Sequence, residues 1–248
     1  GNTTQGHRFM GTGVITVQGY QDYVASLRQA KVVLDREERK AMILAGAQAL
    51  LAPQGLKVKA DPGLVEEVCG LVEWPVPLLG NIDARFMTVP PEVLTTTMRS
   101  NQKYLAVVND QGQMQPHFIV VSNLAAADGG AAIVAGNERV LRARFADAEF
   151  FWAQDKATSL ESKLPQLESI VFHAKLGTMA QKSARVTDLA LALLATQPQA
   201  DGLSAVVAAA ARLCKADLVT GMVGEFPELQ GVMGGYYARH DGHAEAVA

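Results

Sequence analysis

The strongest constraint on the fold is a change in hydrophobic pattern near residue 157. Before that point, helical segments alternate with short segments that have the pattern of β-strands. After it, apolar residues recur at helical spacing only. A chain of 248 residues also exceeds the usual size of a single domain. The sequence therefore predicts an α+β domain over residues 1–157, followed by an all-helical domain over residues 158–248.

The best strand signal is a β-hairpin near residues 104–121. Tyr104–Val108 and Phe118–Val121 are rich in β-branched and aromatic residues, and Asn109–Gly112 supplies turn residues between them. A weaker β-rich run occupies residues 31–34. These segments predict that the first domain contains a sheet.

Helix starts are marked by capping signals. Asp35 and Thr158 each precede a glutamate by three residues, the spacing of a capping box, and Asp61 is followed directly by a proline that suits the first helical position. A long helix is predicted from Asn137 to about Gln154. The segment Leu203–Met222 is apolar almost all round and is predicted to form one helix at the centre of the second domain.

The charge balance excludes a chain that is attracted to nucleic acid as a whole. Lys and Arg number 22 against 25 Asp and Glu, which gives a net charge of −3. Any contact with RNA must therefore be local. The motifs GxxxxGK[ST] and strand-linked GxGxxG do not occur, so no nucleotide-binding site is expected.

The cysteines and the apolar segments indicate a cytoplasmic protein. Cys69 and Cys214 lie in apolar helical patterns instead of a paired disulfide framework, which favours a reducing compartment. No window approaches ~18 uninterrupted apolar residues, so no association with a membrane is expected. The chain begins without Met and stops in what reads as the start of another helix, so we expect an internal piece of a longer protein.

Nine short segments, in order along the chain, carry a resemblance to a known family. They are Gly6–Phe9, Glu73–Val76, Asn101–Tyr104, Gly136–Val140, Ala146–Phe151, Leu176–Thr178, Lys215–Leu218, Gln230–Gly234 and Tyr237–Gly242. Together they resemble the β subunit of bacterial glycyl-tRNA synthetases. The resemblance extends over essentially the whole chain, which makes it more specific than any single motif.

The resemblance implies a role in an α₂β₂ enzyme. In that family the α subunit activates glycine with ATP and Mg²⁺, while the β subunit binds tRNA(Gly) and is required for charging. The anticodon-binding domain lies C-terminal to the region that matches here. This fragment is therefore expected to handle tRNA and to take part in assembly with the α subunit, to be inactive alone and to hold no cofactor.

The helical part also resembles the HD superfamily, whose metal phosphohydrolases use a His, a His-Asp pair and a later Asp. The pair falls at Ala216-Asp217, the later Asp would lie beyond the chain, and His173 is the stand-in for the first ligand. Because Ala216 cannot bind a metal, the resemblance implies a degenerate HD-like domain that is incomplete at its C-terminus and lacks a metal site. Asp217 is expected to be partly buried beside Lys215, Arg212 or a backbone N–H.

The long predicted helix carries the first group of candidates for RNA contact. Arg139, Arg142 and Arg144 lie on it, and guanidinium groups match phosphate oxygens. Alternatively, the helix is simply solvated and Arg142 pairs with Glu138, four residues earlier. Both interpretations remain open.

The entry to the hairpin carries the second group. Arg99, Lys103 and Tyr104 combine two cations with a ring, which would suit a stacked RNA end. Alternatively, Tyr104 belongs to the core and Lys103 only faces water. The sequence does not decide between these alternatives.

Two histidine segments are predicted to be structural. His7-Arg8-Phe9 favours a subunit contact or a structural hydrogen bond over catalysis. His240-Asp241 is a literal His-Asp pair, but no apolar helix of the required kind precedes it and a glycine follows, so a capping or turn role is predicted.

Two other functions remain as alternatives. One is an HD-type, metal-dependent phosphohydrolase, against which Ala216 argues. The other is a pure scaffold for the α subunit, with tRNA contacted elsewhere.

Overall fold

The computed structural model of the chain describes residues 1–11, 13–197 and 202–248. The chain divides into two compact units, residues 1–145 and 146–248. The dividing point lies within a helix that runs from Ala131 to Lys156. The domain boundary near residue 157 coincides with the end of that helix and stays a prediction.

The first unit mixes strands and helices, which confirms its mixed α/β character. Its strands are β1 (Thr3–Gln5), β2 (Val14–Thr16), β3 (Lys57–Val58), β4 (Val76–Asn81), β5 (Leu105–Val108) and β6 (Met114–Ser122). Its helices are α1 (Tyr20–Gln29), α2 (Arg36–Leu51), α3 (Pro62–Leu71), α4 (Pro91–Thr97) and the first part of α5 (Ala131–Lys156).

A four-stranded antiparallel sheet with the order β3-β5-β6-β4 forms the centre of this unit. The strands β5 and β6 are the predicted hairpin, and its turn begins at Asn109, whose side chain accepts a hydrogen bond from the Gln111 N–H at 3.0 Å. Helices α2 and α3 share a hydrophobic core with the sheet, where Ile43, Val68 and Ile119 are almost fully buried. The predicted hairpin is therefore confirmed.

The β-rich run at residues 31–34 does not form a strand, so that prediction is wrong. Lys31 has a positive φ of 63°, which turns the chain directly after α1. Val33 then lies buried, and its N–H donates to the Glu73 carbonyl at 2.9 Å in a single loop contact. The apolar residues of the run therefore anchor a connection between two helices.

Two of the predicted helix caps are present. The side chain of Asp35 accepts a hydrogen bond from the Glu38 N–H at 2.9 Å, and that of Asp61 accepts one from the Leu64 N–H at 2.9 Å. Helix α5, however, begins at Ala131 and not at Asn137. Its start is fixed by Asp128, whose carboxylate accepts hydrogen bonds from two backbone N–H groups, and these bonds lower the pKa of that carboxyl.

The second unit is mainly helical, but it also contains two short strands. Its helices are the last part of α5, α6 (Leu160–Lys163), α7 (Met179–Leu194), α8 (Ser204–Leu213), α9 (Gly221–Glu225) and α10 (Val232–His240). Its strands β7 (Val171–His173) and β8 (Gly177–Thr178) form an antiparallel pair. The prediction of an all-helical second part is therefore wrong, and its HD-like character stays a prediction.

Two local predictions in this unit are also wrong. The cap of α6 is Ser159, which accepts from the Ser162 N–H at 3.3 Å, while the Thr158 hydroxyl accepts from the Lys163 ammonium at 2.6 Å. The segment Leu203–Met222 is not one central helix, because α8 ends at Leu213 and its preceding residues are only partly buried or exposed.

The break in that apolar segment has a local cause. Residues 216–219 form a 3₁₀ turn. At its end, the Thr220 hydroxyl donates a hydrogen bond to the Asp217 carbonyl at 2.6 Å. The same hydroxyl accepts from the Val223 N–H at 3.3 Å and so begins α9. Side-chain hydrogen bonds of this kind compete with the continuation of a helix.

Candidate nucleic-acid interface

Three arginines on α5 form an exposed group of cations in the first unit. Arg139, Arg142 and Arg144 are all exposed, and none of them makes an ion pair or a hydrogen bond within the described part of the chain. The predicted pair between Glu138 and Arg142 is absent, because Glu138 accepts hydrogen bonds from the Asn81 backbone N–H at 2.8 Å and from its amide at 3.3 Å. The three guanidinium groups are therefore free to bind an anion.

Helix α5 holds these arginines on a fixed support. The buried side chains of Leu141 and Phe145 are 1% and 0% exposed. Around the helix they lie between Arg142 and Arg144, and Arg139 lies on the side that faces away from them. The Phe145 ring meets the Phe86 ring edge to face, with 5.6 Å between the ring centroids. The packing of Leu141 and Phe145 therefore fixes the rotation of the helix, with Arg139 facing away from the core and Arg142 and Arg144 at its two edges.

The two cations of the hairpin entry are placed differently. The Arg99 Nε lies 2.8 Å from an oxygen of Asp61, and the Lys103 ammonium lies 2.8 Å from an oxygen of Glu67. Both carboxylates belong to α3 or its cap. A phosphate would have to compete with these carboxylates, so this pair is less suited to RNA than the α5 arginines are.

Tyr104 lies in the core. It is 3% exposed, and its ring stacks on Phe118 with 4.8 Å between the ring centroids. Its hydroxyl donates to the side-chain oxygen of Asn137 on α5, and burial raises the pKa of the Tyr104 phenol. The ring is therefore not available to stack on a base, which favours the alternative that assigns Tyr104 to the core.

Asp217 is fully buried in the second unit. One carboxylate oxygen accepts hydrogen bonds from the Gly231 N–H and, at 3.0 Å, from the Gly234 N–H. The other oxygen has no hydrogen-bond partner among the described residues, and burial raises the pKa of the Asp217 carboxyl. Of the predicted partners, backbone N–H groups hold this carboxylate and the charge of Lys215 acts on it to lower its pKa, whereas Arg212 lies 3.6 Å from Glu161.

A second buried carboxylate, Asp155, was not predicted from the sequence. One of its oxygens accepts from the Gly221 N–H at 2.9 Å, and the other accepts from the Met222 N–H at 2.9 Å and from the Tyr237 hydroxyl at 2.8 Å. The signal was available, because Asp155 follows Trp152 by three residues and so continues the apolar stripe of α5. Asp155 thereby ties the end of α5 to α9 and α10.

The donor set around Asp217 does not fit a metal centre. Ala216 is buried and offers no ligand, and His173 is exposed on β7, where its Nδ1 accepts from the Lys175 N–H at 3.1 Å. Nowhere in residues 1–11, 13–197 and 202–248 do three His, Cys, Asp or Glu side chains gather as ligands could. Asp155 and Asp217 instead satisfy backbone amides, which is a structural role.

The two histidine segments make structural contacts. The Nδ1 of His7 accepts hydrogen bonds from the Phe9 and Met10 N–H groups, each at 3.2 Å. An oxygen of Asp241 accepts from the Leu160 N–H at 2.7 Å and so caps the first N–H of α6, beside the N-cap residue Ser159. At His7 a structural hydrogen bond is therefore present, and the alternative of a subunit contact stays a prediction. The capping role predicted for Asp241 is present, but the expectation that no apolar helix precedes the His-Asp pair is wrong, because α10 ends at His240 and buries Met233, Tyr237 and Ala238.

None of the described helices combines the length and the apolar character that a bilayer-spanning segment needs.

Comparison with known proteins identifies the family. All 248 residues match the family described as glycyl-tRNA synthetase beta subunit. The glycine–tRNA ligase beta subunit of Rhodospirillum centenum is 57% identical over 239 residues, which cover 96% of this chain and 34% of the relative. The beta subunit of Phenylobacterium zucineum is 48% identical over 98% of this chain and 36% of the relative. The beta subunit of Magnetococcus marinus is 48% identical over 100% of this chain and 35% of the relative. The chain thus spans about a third of the length of the curated relatives it matches. It belongs to the glycyl-tRNA synthetase beta subunit family.

Proposed function

We propose that this chain is the tRNA-handling and subunit-assembly portion of the β subunit of an α₂β₂ glycyl-tRNA synthetase. In this role it supports the ATP-dependent attachment of glycine to tRNA(Gly) on the α subunit, in the cytoplasm. ATP and Mg²⁺ act on the α subunit, so the isolated portion is inactive. The printed names of the relatives, glycine–tRNA ligase beta subunit, support a part in a ligase complex.

The observation that carries the RNA contact is the unpaired state of the α5 arginines. Arg139, Arg142 and Arg144 lie within six residues on one helix, and the described residues offer them no carboxylate partner. A guanidinium group presents a planar fork of donors that matches phosphate oxygens. Contacts of this kind position an RNA on the protein without reading its sequence.

The test replaces Arg139, Arg142 and Arg144 together by Ala in the complete subunit, assembled with the α subunit. Binding of tRNA(Gly) is then measured over a series of salt concentrations. We expect weaker binding and a shallower dependence of the logarithm of affinity on the logarithm of salt, by roughly one unit per lost phosphate contact.

The matched control replaces Arg99 and Lys103 by Ala. Because Asp61 and Glu67 already neutralise these cations, the control should leave the salt dependence unchanged. Unchanged tRNA binding in the triple variant would contradict the proposal and would favour a pure scaffold for the α subunit.

The phosphohydrolase alternative is not favoured. Ala216 replaces the imidazole that an active member would present, and the Asp217 carboxylate is held by backbone amides. Incubating the portion with phosphodiester and nucleotide substrates plus a divalent metal should release no product.

A further inference from the structure

The strands β7 and β8 and the first half of α7 form a basic segment of the second unit. Residues 170–187 contain Lys175, Lys182, Arg185 and a histidine but no Asp or Glu, although the chain as a whole has a net charge of −3. We call residues 171–178 together with Lys182 and Arg185 the basic hairpin.

Contacts with uncharged groups bring two of these cations to the hairpin. The Nη2 of Arg185 donates to the Leu176 carbonyl at 3.0 Å and so ties α7 to the turn between β7 and β8. The Lys182 ammonium lies 3.7 Å from the centroid of the Phe172 ring, which attracts a cation to its face. Lys182 and Arg185 are three residues apart on α7 and therefore lie on the same side of that helix.

The turn of the hairpin presents the third cation. The Lys175 N–H donates to the Nδ1 of His173 at 3.1 Å, and the side chains of both residues are exposed. Because Nδ1 accepts this bond, the proton of the neutral imidazole is on Nε2, which is a further donor. The turn therefore presents donors and offers no carboxylate.

None of the three cations forms an ion pair within residues 1–11, 13–197 and 202–248. The nearby carboxylate of Glu168 instead accepts a hydrogen bond from the Thr178 hydroxyl at 3.0 Å. Charges of one sign repel one another, and an anion between them removes that repulsion. The basic hairpin is therefore suited to an anionic partner.

The composition of the basic hairpin favours RNA over an acidic protein surface. Lysine is depleted at protein–protein interfaces, whereas interfaces with nucleic acid are much more positively charged. Two of the three cations are lysines. The Phe172 ring is only 38% exposed and carries the Lys182 ammonium, so it holds a cation in place and does not offer a free stacking face.

We propose that the basic hairpin binds the phosphate backbone of tRNA(Gly) through Lys175, Lys182 and Arg185. Contacts of this kind position an RNA without reading its bases. This surface is additional to the arginines of α5, which belong to the first unit. The inference rests on the proposed function, because the RNA is the tRNA that the enzyme charges.

The α subunit is the rival partner for this surface. Val171 and Leu176 are 71% and 55% exposed on the hairpin, and exposed apolar side chains also occur where proteins meet. A protein contact and a phosphate contact differ in their dependence on salt, which the test uses.

The test combines Lys175→Gln, Lys182→Gln and Arg185→Gln in the complete subunit, assembled with the α subunit. Binding of tRNA(Gly) is measured over a series of salt concentrations. We expect at least about tenfold weaker binding at low salt, and a slope of log affinity against log salt that is smaller by about two to three units.

A matched pair of single substitutions controls for the loss of a lysine. The Lys156 ammonium lies 4.3 Å from the centroid of the Trp152 ring, so Lys156 and Lys182 are both lysines held over an aromatic ring in the second unit. Lys182→Gln should lower the salt slope by about one unit, whereas Lys156→Gln should leave it unchanged.

A second measurement uses the unaltered subunit and so does not depend on the folding of a variant. Lysines are acetylated under limiting conditions with and without bound tRNA(Gly), and the modified peptides are quantified by mass spectrometry. We expect tRNA to slow the modification of Lys175 and to leave that of Lys156 unchanged.

An unchanged salt slope in the triple hairpin variant would overturn the proposal, and so would equal reactivity of Lys175 with and without tRNA. Loss of assembly with the α subunit at an unchanged salt slope would assign the surface to that subunit and would also overturn it.

The α5 variants report on the proposed function separately. If they lose tRNA binding while the hairpin variant keeps it, the proposed function stands and this inference fails. If only the hairpin variant loses tRNA binding, this inference stands and the RNA contact assigned to α5 fails.

Discussion

At the scale of single residues, two buried aspartates organise the second unit through backbone amides. Asp155 receives three hydrogen bonds and Asp217 receives two at one oxygen. Hydrogen bonds to a carboxylate are stronger than those between neutral groups, which offsets part of the cost of burial. The two side chains therefore fix where the chain turns between α8 and α10.

Replacing Tyr237 by Phe removes one of these hydrogen bonds. Tyr237 is 2% exposed, and within residues 1–11, 13–197 and 202–248 its hydroxyl is the one side-chain donor to the buried Asp155. We expect the free energy of unfolding to fall by about 1–3 kcal/mol, measured by urea denaturation.

As a control, Tyr20→Phe changes a ring that is 73% exposed and should alter stability by less than about 0.5 kcal/mol.

The pH dependence of stability tests the environment of Asp217. Burial raises the pKa of its carboxyl in the folded state, so its contribution to stability is fully present below the unfolded pKa of about 3.9 and is lost as pH rises through the folded pKa. Asp217→Asn keeps an acceptor oxygen but does not ionise. We expect the variant to gain stability relative to the parent as pH rises through this window.

Chemical denaturation of both proteins at a series of pH values measures this difference. A difference that stays constant with pH would show that Asp217 has the same affinity for a proton in the folded and unfolded states.

At the scale of elements, the sheet of the first unit depends on one close approach. Gly80 on β4 pairs with Phe118 on β6, and the Phe118 ring lies where a Cβ of residue 80 would be. The same ring stacks on Tyr104. The glycine therefore makes room for an aromatic stack that joins β6 to the start of β5.

Gly80→Ala should destabilise the protein. A Cβ at residue 80 would lie 2.3 Å from the Phe118 ring, which is itself fully buried. We expect a loss of about 1–3 kcal/mol in the free energy of unfolding, measured by urea denaturation.

The matched substitution is Gly70→Ala. This glycine is exposed in α3 and has open space around its Cβ position. Alanine should stabilise the helix by up to about 1 kcal/mol. A similar loss in both variants would show that the Phe118 contact is not the cause.

Local signals in the sequence predicted the hairpin and the caps at Asp35 and Asp61, because each depends on neighbouring residues. The break after α8 was not predictable in this way. It depends on Asp217 receiving hydrogen bonds from residues 14 and 17 positions away. For the same reason, the sequence indicated the α5 arginines but not the state of Arg142. Asn81, which is 57 residues from Glu138, donates to the Glu138 carboxylate, and Arg142 is left without that partner.

At the scale of the whole molecule, each unit contains contacts between residues far apart in sequence. In the second unit, Asp241 caps α6 through Leu160, 81 residues earlier. Asp241→Ala should therefore lower the free energy of unfolding by about 1 kcal/mol, as for the loss of other helix caps. Thermal unfolding measures this loss, and Asp110→Ala, at a side chain that is 88% exposed, should show almost none.

The shell of hydrogen bonds around Asp155 also bears on how the chain is made. Its donors lie 66 to 82 residues downstream, so this carboxylate is still hydrated while the ribosome is synthesising α7 and α8. The strands of the first unit have all emerged by then, since the last of them ends at Ser122. Domains generally fold as units during synthesis, starting with the N-terminal one. The first unit is therefore expected to fold before Tyr237 has been synthesised. A nascent chain stalled between the end of the first unit and Tyr237 would expose an incompletely folded second unit to chaperones.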